Sequence, residues 1–230
     1  MSTPVVFFPG TQCDERIFLP LWRLLDIEDR RYVPLQWAET LEQMLALADY
    51  AAEGEQVHLV GFSMGGYIAS RFALDNPQLV ASLTLIGFDA AGLSETEEKQ
   101  RAQIIKSLDR GQFKPMSEAR LSMMVSDDSP NSQDAKAVVR EMEADLGGSV
   151  VKYHMMAASK RPDLRPALNK ARFPIQIVAA NNDKMASLSA LNAMHHAIAS
   201  SELAVVEPSG HMMPLEQPEQ LAAILTPLLS

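Results

Sequence analysis

Cysteine is nearly absent. Cys13 is the only one in 230 residues, so the chain can form no internal disulfide and no multi-cysteine zinc or iron–sulfur site, which suits a reducing compartment. Positive charge is also scarce, with 20 basic residues against 29 acidic ones and a net charge of −9. That balance repels phosphate backbones and anionic lipid heads, and no run of Lys and Arg is long enough to overcome it. Nucleic acid and membrane surfaces are therefore not expected partners. No stretch approaches the ~20 consecutive apolar residues of a membrane span. Met1-Ser2-Thr3-Pro4 lacks the basic segment that opens a signal peptide, so the cytoplasm is the expected location. The chain shows neither a repeat period nor a low-complexity tract.

What is present is a large apolar fraction, 47% of the residues. A chain of this size removes roughly 70–75% of its surface from water on folding, so a core forms without disulfide or metal staples. At about 150 residues per domain, the length fits one compact domain with a sizeable insertion.

Val5-Val6-Phe7-Phe8, stopped by Pro9-Gly10, and Val57-His58-Leu59-Val60, stopped by Gly61, read as buried strands. Similar runs recur at Leu83–Ile86, Ile175–Ala179 and Leu203–Val206, with Arg31–Val33 a weaker sixth. Helix-period stretches lie between and after them, at Thr40–Ala52, Gly65–Leu74, Ser189–Ala199 and Pro218–Leu229. Strands alternating with helices predict an α/β fold, a mostly parallel sheet of about six strands with helices on both faces and ligands at the carboxyl ends of the strands.

The alternation breaks between about Gly92 and Ala171, where no comparable strand is found. The expected organisation is a core of residues 1–91 and 171–230 with a helical lid of residues 92–170. The lid opens on Ser94-Glu95-Thr96-Glu97, a capping box, followed by helix to about Leu108. Further helices are expected at Ser117–Val125, Asp134–Leu146 and Val150–Ser159, the last two separated by Gly147-Gly148. Asp127-Asp128-Ser129-Pro130-Asn131 lacks the glycine and glutamate of a calcium loop and is expected to be a solvated turn.

Gly61-Phe62-Ser63-Met64-Gly65-Gly66 stands where a predicted strand meets a predicted helix. A serine at such a turn is strained and exposes its hydroxyl, and the flanking glycines let strand and helix approach closely. A serine hydroxyl needs a base to take its proton, and the base needs an acid to orient it. Of the five histidines, His58 lies in a strand, His195 and His196 sit together on a helix and are expected to face solvent, and His154 falls in the lid. His211, in Pro208-Ser209-Gly210-His211 after the last strand, is on the same sheet edge as Ser63. For the acid, Asp183 follows the strand Ile175–Ala179, and Asp89, after Leu83–Ile86, is its rival. The order Ser63, Asp183, His211 is the one a nucleophile elbow on such a sheet calls for.

With these motifs in order, the chain resembles the α/β-hydrolase superfamily over about residues 4–90 and 171–229. It is similar in particular to compact bacterial esterases and lipase-like hydrolases that end in Gly-His-x-x-Pro-Leu-Glu-x-Pro, here His211-Met212-Met213-Pro214-Leu215-Glu216-Gln217-Pro218. The resemblance implies Ser63 as nucleophile, His211 as general base and Asp183 as its partner. It further implies an oxyanion hole made by the amides of Met64 and Thr11, with Gln12 as the alternative to Thr11. Family members commonly carry His-Gly after the first strand where this chain has Pro9-Gly10, a departure that bears on the hydrogen bonding of that loop.

The expected activity is hydrolysis of a carboxylic ester or thioester of a small, largely apolar acid, with a small molecule as substrate, no cofactor and no metal. The same triad also serves carbon–carbon bond hydrolysis and cofactor-free lyase chemistry, and the fold can persist as a non-catalytic ligand receptor. Oligomeric state is left open. Six of the 13 methionines, Met116, Met123, Met124, Met142, Met155 and Met156, fall in the lid, either to wrap an apolar substrate or to fill the contact with the core. Cys13 reads as packed rather than reactive. The cluster Lys160-Arg161-Pro162-Asp163-Leu164-Arg165 reads as a solvated helix end, against the alternative of an arginine facing the pocket.

Overall fold

Val5–Phe8 forms the first strand, β1, in the computed structural model, which describes residues 2–229. Met1 and Ser230, the outermost positions of the expected core, lie outside the described residues. The other strands are β2 (Arg30–Tyr32), β3 (Val57–Phe62), β4 (Val80–Ile86), β5 (Ile175–Ala180) and β6 (Ser201–Val206). They lie in the order β2-β1-β3-β4-β5-β6, and every pairing is parallel. Around the sheet run α1 (Leu41–Ala52), α2 (Met64–Asp75), α3 (Glu95–Asp109), α4 (Glu118–Met124), α5 (Ser132–Ala157), α6 (Leu188–Ala197) and α7 (Pro218–Leu229). Shorter helical turns occupy Leu19–Trp22, Arg165–Leu168 and Met213–Glu216.

The period-2 geometry of a strand divides the core between the two faces. Val6 and Phe8 join Met44, Ile68 and Phe72 on one side, while Val5 and Phe7 join Ile17, Phe18 and Leu21 on the other. Strands β4 and β6 begin at Val80 and Ser201, two or three residues earlier than their apolar runs, because ladder hydrogen bonds continue past the buried centre of a strand. From β1 the chain steps to β2 on one side and returns to β3 on the other. The crevice at the carboxyl ends of β1 and β3 is thus the topological switch point where such sheets place ligands.

Helices α3 to α5 fill the interval between β4 and β5. The expected capping box opens α3: Ser94 Oγ accepts the Glu97 amide at 3.3 Å, and the Glu97 carboxylate accepts the Ser94 amide at 2.9 Å. The two expected helices on either side of Gly147-Gly148 join into α5, broken only at Gly147, where φ is +64° and ψ −169°. The turn at 127–131 is less solvated than expected. Asp127 and Asp128 are exposed, but Ser129 is buried and donates to the Glu216 carbonyl at 3.2 Å, and Asn131 donates to the same carbonyl at 3.1 Å.

Away from this segment, His196 faces solvent as expected, whereas His195 is half-buried with Nδ1 3.0 Å from Ser201 Oγ. His58 is satisfied by Ser82 Oγ at 2.7 Å. Among the described residues, no helix is long and apolar enough to cross a membrane.

Candidate active site

β3 ends at Phe62 and α2 begins at Met64, so the whole change of direction falls on Ser63, at φ 51° and ψ −116°. A non-glycine residue there is strained by about 1–3 kcal/mol and persists only if its surroundings over-determine it. They do: the Ser63 amide donates to Ile86 at 2.8 Å, and its carbonyl accepts the Gly66 amide at 2.9 Å. The flanking glycines are required by close approach. A Cβ on Gly65 would lie 2.1 Å from the Phe8 carbonyl oxygen, and one on Gly61 would lie 2.6 Å from Gly66 Cα.

His211 Nε2 stands 3.0 Å from Ser63 Oγ, and its Nδ1 stands 2.8 Å from Asp183 Oδ2. The other carboxylate oxygen of Asp183 accepts the amides of Met185 at 2.7 Å and Ala186 at 2.9 Å, which fixes the plane of the acid. Asp183 and His211 are both buried. The rival acid, Asp89, instead accepts the Ala91 amide at 2.9 Å, and burial raises its carboxyl pKa.

The loop after β1 brings Thr11 to the same cavity as Ser63. The amides of Thr11 and Met64 have no acceptor among the described residues. The Gln12 amide, the alternative to Thr11, is already engaged: it donates to His154 Nδ1 at 3.1 Å. Cys13 is buried and its sulfur contacts the Thr11 carbonyl at 3.4 Å. Burial pushes its thiol pKa up to about 12, so it stays protonated and unreactive, in keeping with the packed reading.

A cavity of about 600 Å³ opens on Ser63 and His211. Four of the six methionines between β4 and β5 line it, namely Met116, Met124, Met142 and Met155, whereas Met123 and Met156 are exposed. The cluster at 160–165 divides. Arg165 pairs with Asp163 at 2.8 Å on the surface, as a solvated cluster predicts. Arg161 does not follow that expectation: it lines the cavity, with its guanidinium 5.1 Å from the centre of the Tyr67 ring. The aromatic faces of Tyr67 and Phe88 draw the Arg161 guanidinium inward, whereas Arg165 finds a carboxylate beside it on the surface.

Two supporting residues escaped the sequence reading. His154, fully buried, holds Gln12 through Nδ1 and contacts the Leu35 carbonyl through Nε2 at 3.0 Å. Glu216, also fully buried, accepts the amides of Gly210 and Ser126, each at 2.8 Å, on Oε2 and so holds the loop that carries His211. The end of α4 holds it too, because the His211 amide donates to the Met124 carbonyl at 2.7 Å. A glutamate directly after the apolar run Met212–Leu215 was the one available signal.

A serine on a strained strand-to-helix turn, facing a histidine and an aspartate that follow later strands of a parallel sheet, is the arrangement of an α/β hydrolase. The model of the Alpha/beta hydrolase family matches residues 5–224, and the chain belongs to that family. Monoacylglycerol lipase ABHD6 of Bos taurus is 26% identical over 185 residues, 75% of this chain and 54% of the lipase. The 2-hydroxy-6-oxononadienedioate/2-hydroxy-6-oxononatrienedioate hydrolase of Klebsiella pneumoniae is 27% identical over 162 residues, 68% of this chain and 56% of that protein. The chain spans a little over half the length of these curated relatives. Among solved structures, a thermophilic esterase from Thermogutta terrifontis with malate bound matches with a TM-score of 0.86 at 20% identity, covering 100% of this chain and 92% of that one. At that identity the likeness is one of fold.

Proposed function

We propose that this chain is a serine hydrolase that cleaves a carboxylic ester or thioester of a small, largely apolar acid through an acyl-enzyme on Ser63. The observation that carries this reading is the placement of one imidazole, His211, within hydrogen-bond reach of both Ser63 Oγ and Asp183 Oδ2. His211 Nε2 takes the hydroxyl proton as Oγ attacks the carbonyl carbon. Asp183 accepts the Nδ1–H, fixes the tautomer and stabilises the imidazolium that forms. The amides of Thr11 and Met64 receive the developing oxyanion, at roughly 3–4 kcal/mol each. His211 then protonates the departing alcohol or thiol, and a water activated by the same imidazole releases the acid. No cofactor or metal enters this scheme. Residues 92–170 act as the lid over the core, and the cavity methionines supply an adaptable apolar wall for the acyl chain.

The lipase and esterase relatives support an ester substrate. The Klebsiella relative favours a second reading. Its named substrate is a diacid without an ester, so the same triad on this fold can cleave another bond when the substrate is posed differently.

A fluorophosphonate probe tests the primary reading, because an activated serine attacks phosphorus as well as carbonyl carbon. Intact-mass analysis is expected to show one label on the protein, lost together with ester hydrolysis in Ser63→Ala. A folded, unlabelled protein inactive on esters and thioesters of graded acyl length would return the fold to a receptor role.

A further inference from the structure

The charge of the cavity is opposite to that of the chain. Net charge is −9, yet Arg101 and Arg161 stand half-buried in the cavity wall, with Lys114 and Arg120 exposed at its rim. The one carboxylate among the lining residues, Glu143, is committed elsewhere, with both oxygens on the Met116 amide at 2.8 and 2.9 Å.

Four other arginines of this protein are paired. Arg16, Arg31, Arg140 and Arg165 each contact a carboxylate. Neither Arg101 nor Arg161 forms an ion pair among the described residues. The two converge on one neutral acceptor, the Ala158 carbonyl, which accepts from Arg161 Nε at 3.0 Å and from Arg101 Nη1 at 3.4 Å. Both Nη groups of Arg161 remain without an acceptor among the described residues. The nearby Glu97 carboxylate is held by the Ser94 amide at 2.9 Å and the Ser94 hydroxyl at 2.7 Å. Burial, and then the charge of Arg101, push the Arg161 pKa down to about 9. Glu97 lies near both arginines but pairs directly with neither, and two like charges partly withdrawn from water favour an anion that joins them.

The position suits a substrate anion. The Arg161 guanidinium lies over Tyr67, one turn beyond Ser63 on α2, and within 6.0 Å of the Phe88 ring. A planar fork held by aromatic faces, its outer nitrogens free, matches a carboxylate in two parallel hydrogen bonds.

We propose that Arg101 and Arg161 form an anion subsite, and that the substrate is an ester or thioester of a dicarboxylic acid whose free carboxylate docks there while the apolar chain crosses the methionine wall. This rests on the hydrolase reading above. Lys114 and Arg120 would draw such an anion to the mouth, where focused charge raises encounter rates.

The test compares mono-4-nitrophenyl adipate with 4-nitrophenyl hexanoate, esters of equal chain length. Wild type is expected to favour the adipate ester at least tenfold in kcat/KM. That preference should fall by tenfold or more, about 1.4 kcal/mol, in Arg101→Met/Arg161→Met, should survive in part in Arg161→Lys, and should be retained in the surface control Arg165→Met. Free adipate should inhibit hexanoate hydrolysis by wild type far better than 1,6-hexanediol does, a comparison that needs no variant to fold. Equal rates on the two esters, or a preference unchanged in the double variant, would overturn the subsite and leave the hydrolase standing. If wild type turns over neither ester and takes no fluorophosphonate, the hydrolase reading falls instead. The subsite is then judged by whether adipate raises the melting temperature of wild type but not of the double variant.

Discussion

The Gln12 amide donates to Nδ1 of His154 at 3.1 Å, across 142 residues of sequence. Because Nδ1 accepts, the single proton of the neutral ring sits on Nε2 and is donated to the Leu35 carbonyl at 3.0 Å. Gln12 itself holds a left-handed conformation, φ 55°, and its side-chain amide reaches the Gly147 carbonyl at 3.3 Å. The loop that presents Thr11 is thus fastened at two points to α5, one at the break at Gly147 and one about two turns beyond it at His154.

This fastening has a kinetic consequence. Loss of one oxyanion donor in a reference serine protease costs about 10²–10³ in kcat, and a loop that merely loosens should lose part of that. His154→Leu is expected to lower kcat by about ten- to a hundredfold with little change in KM, while Ser63 still accepts a fluorophosphonate. Steady-state kinetics beside intact-mass labelling checks it. A rise in KM at constant kcat would place His154 in substrate binding rather than in holding the loop.

The same imidazole predicts how stability varies with pH. Burial pulls the His154 pKa from 6.5 down to about 4. In the unfolded chain the ring takes up a proton as pH falls through about 6.5; in the folded protein it does so only near 4. The unfolded state therefore binds more protons between those values, and folding stability falls across that window. At ~1.4 kcal/mol per pKa unit the loss is on the order of 3 kcal/mol. Urea titrations at pH 7 and pH 4 should show wild type losing more stability than His154→Gln by about this amount, since the carboxylates common to both cancel. Equal losses would mean the ring is charged, or solvated, in the folded state.

The sequence made the proposed triad legible and hid its supports, for a physical reason. Ser63 announces itself through contacts within three residues, since the glycines at 61 and 65 are needed by the same turn that strains the serine. Asp183 and His211 are found because each follows a strand on the edge that Ser63 occupies. His154, Arg101 and Arg161 depend on how α3 to α5 settle on the core, which no local pattern encodes. Arg161 and Arg165 share one polar stretch, yet one turns to Tyr67, 94 residues earlier in the chain, and the other to Asp163 beside it. The buried turn at Ser129 was missed likewise, because its acceptor is the Glu216 carbonyl, 87 residues away.

The acid can be tested against its rival. Asp183 contacts His211, whereas Asp89 is turned to the Ala91 amide. Removing the carboxylate that holds the imidazole costs about 10⁴ in kcat in the reference serine protease, through the wrong tautomer. Asp183→Asn is expected to lower kcat by several orders of magnitude, and Asp89→Asn by less than tenfold. Paired kinetics on folded variants decides the assignment, and the reverse ranking would move the acid to Asp89.

Glu216 offers a test of the loop that carries His211. Its Oε2 accepts the Gly210 and Ser126 amides at 2.8 Å each, while Oε1 is buried with no partner among the described residues. Burial raises its carboxyl pKa, which marks the ionised form as costly in the fold. Glu216→Leu removes the acceptor and leaves the buried Gly210 amide and the part-buried Ser126 amide unsatisfied, a loss of about 2–6 kcal/mol at ~1–3 kcal/mol per group. Glu216→Gln keeps a carbonyl oxygen that both amides can reach and introduces no buried charge, so it should lose less than half as much. Because a carboxyl with a raised folded pKa contributes least to stability once it ionises, the gap between Gln and wild type should narrow as pH rises from 5 to 8. Urea unfolding of the three proteins at those two pH values supplies the measurement. If Gln proved as damaging as Leu at both, the carboxylate charge rather than the acceptor would be what holds Gly210, and through it His211, in place.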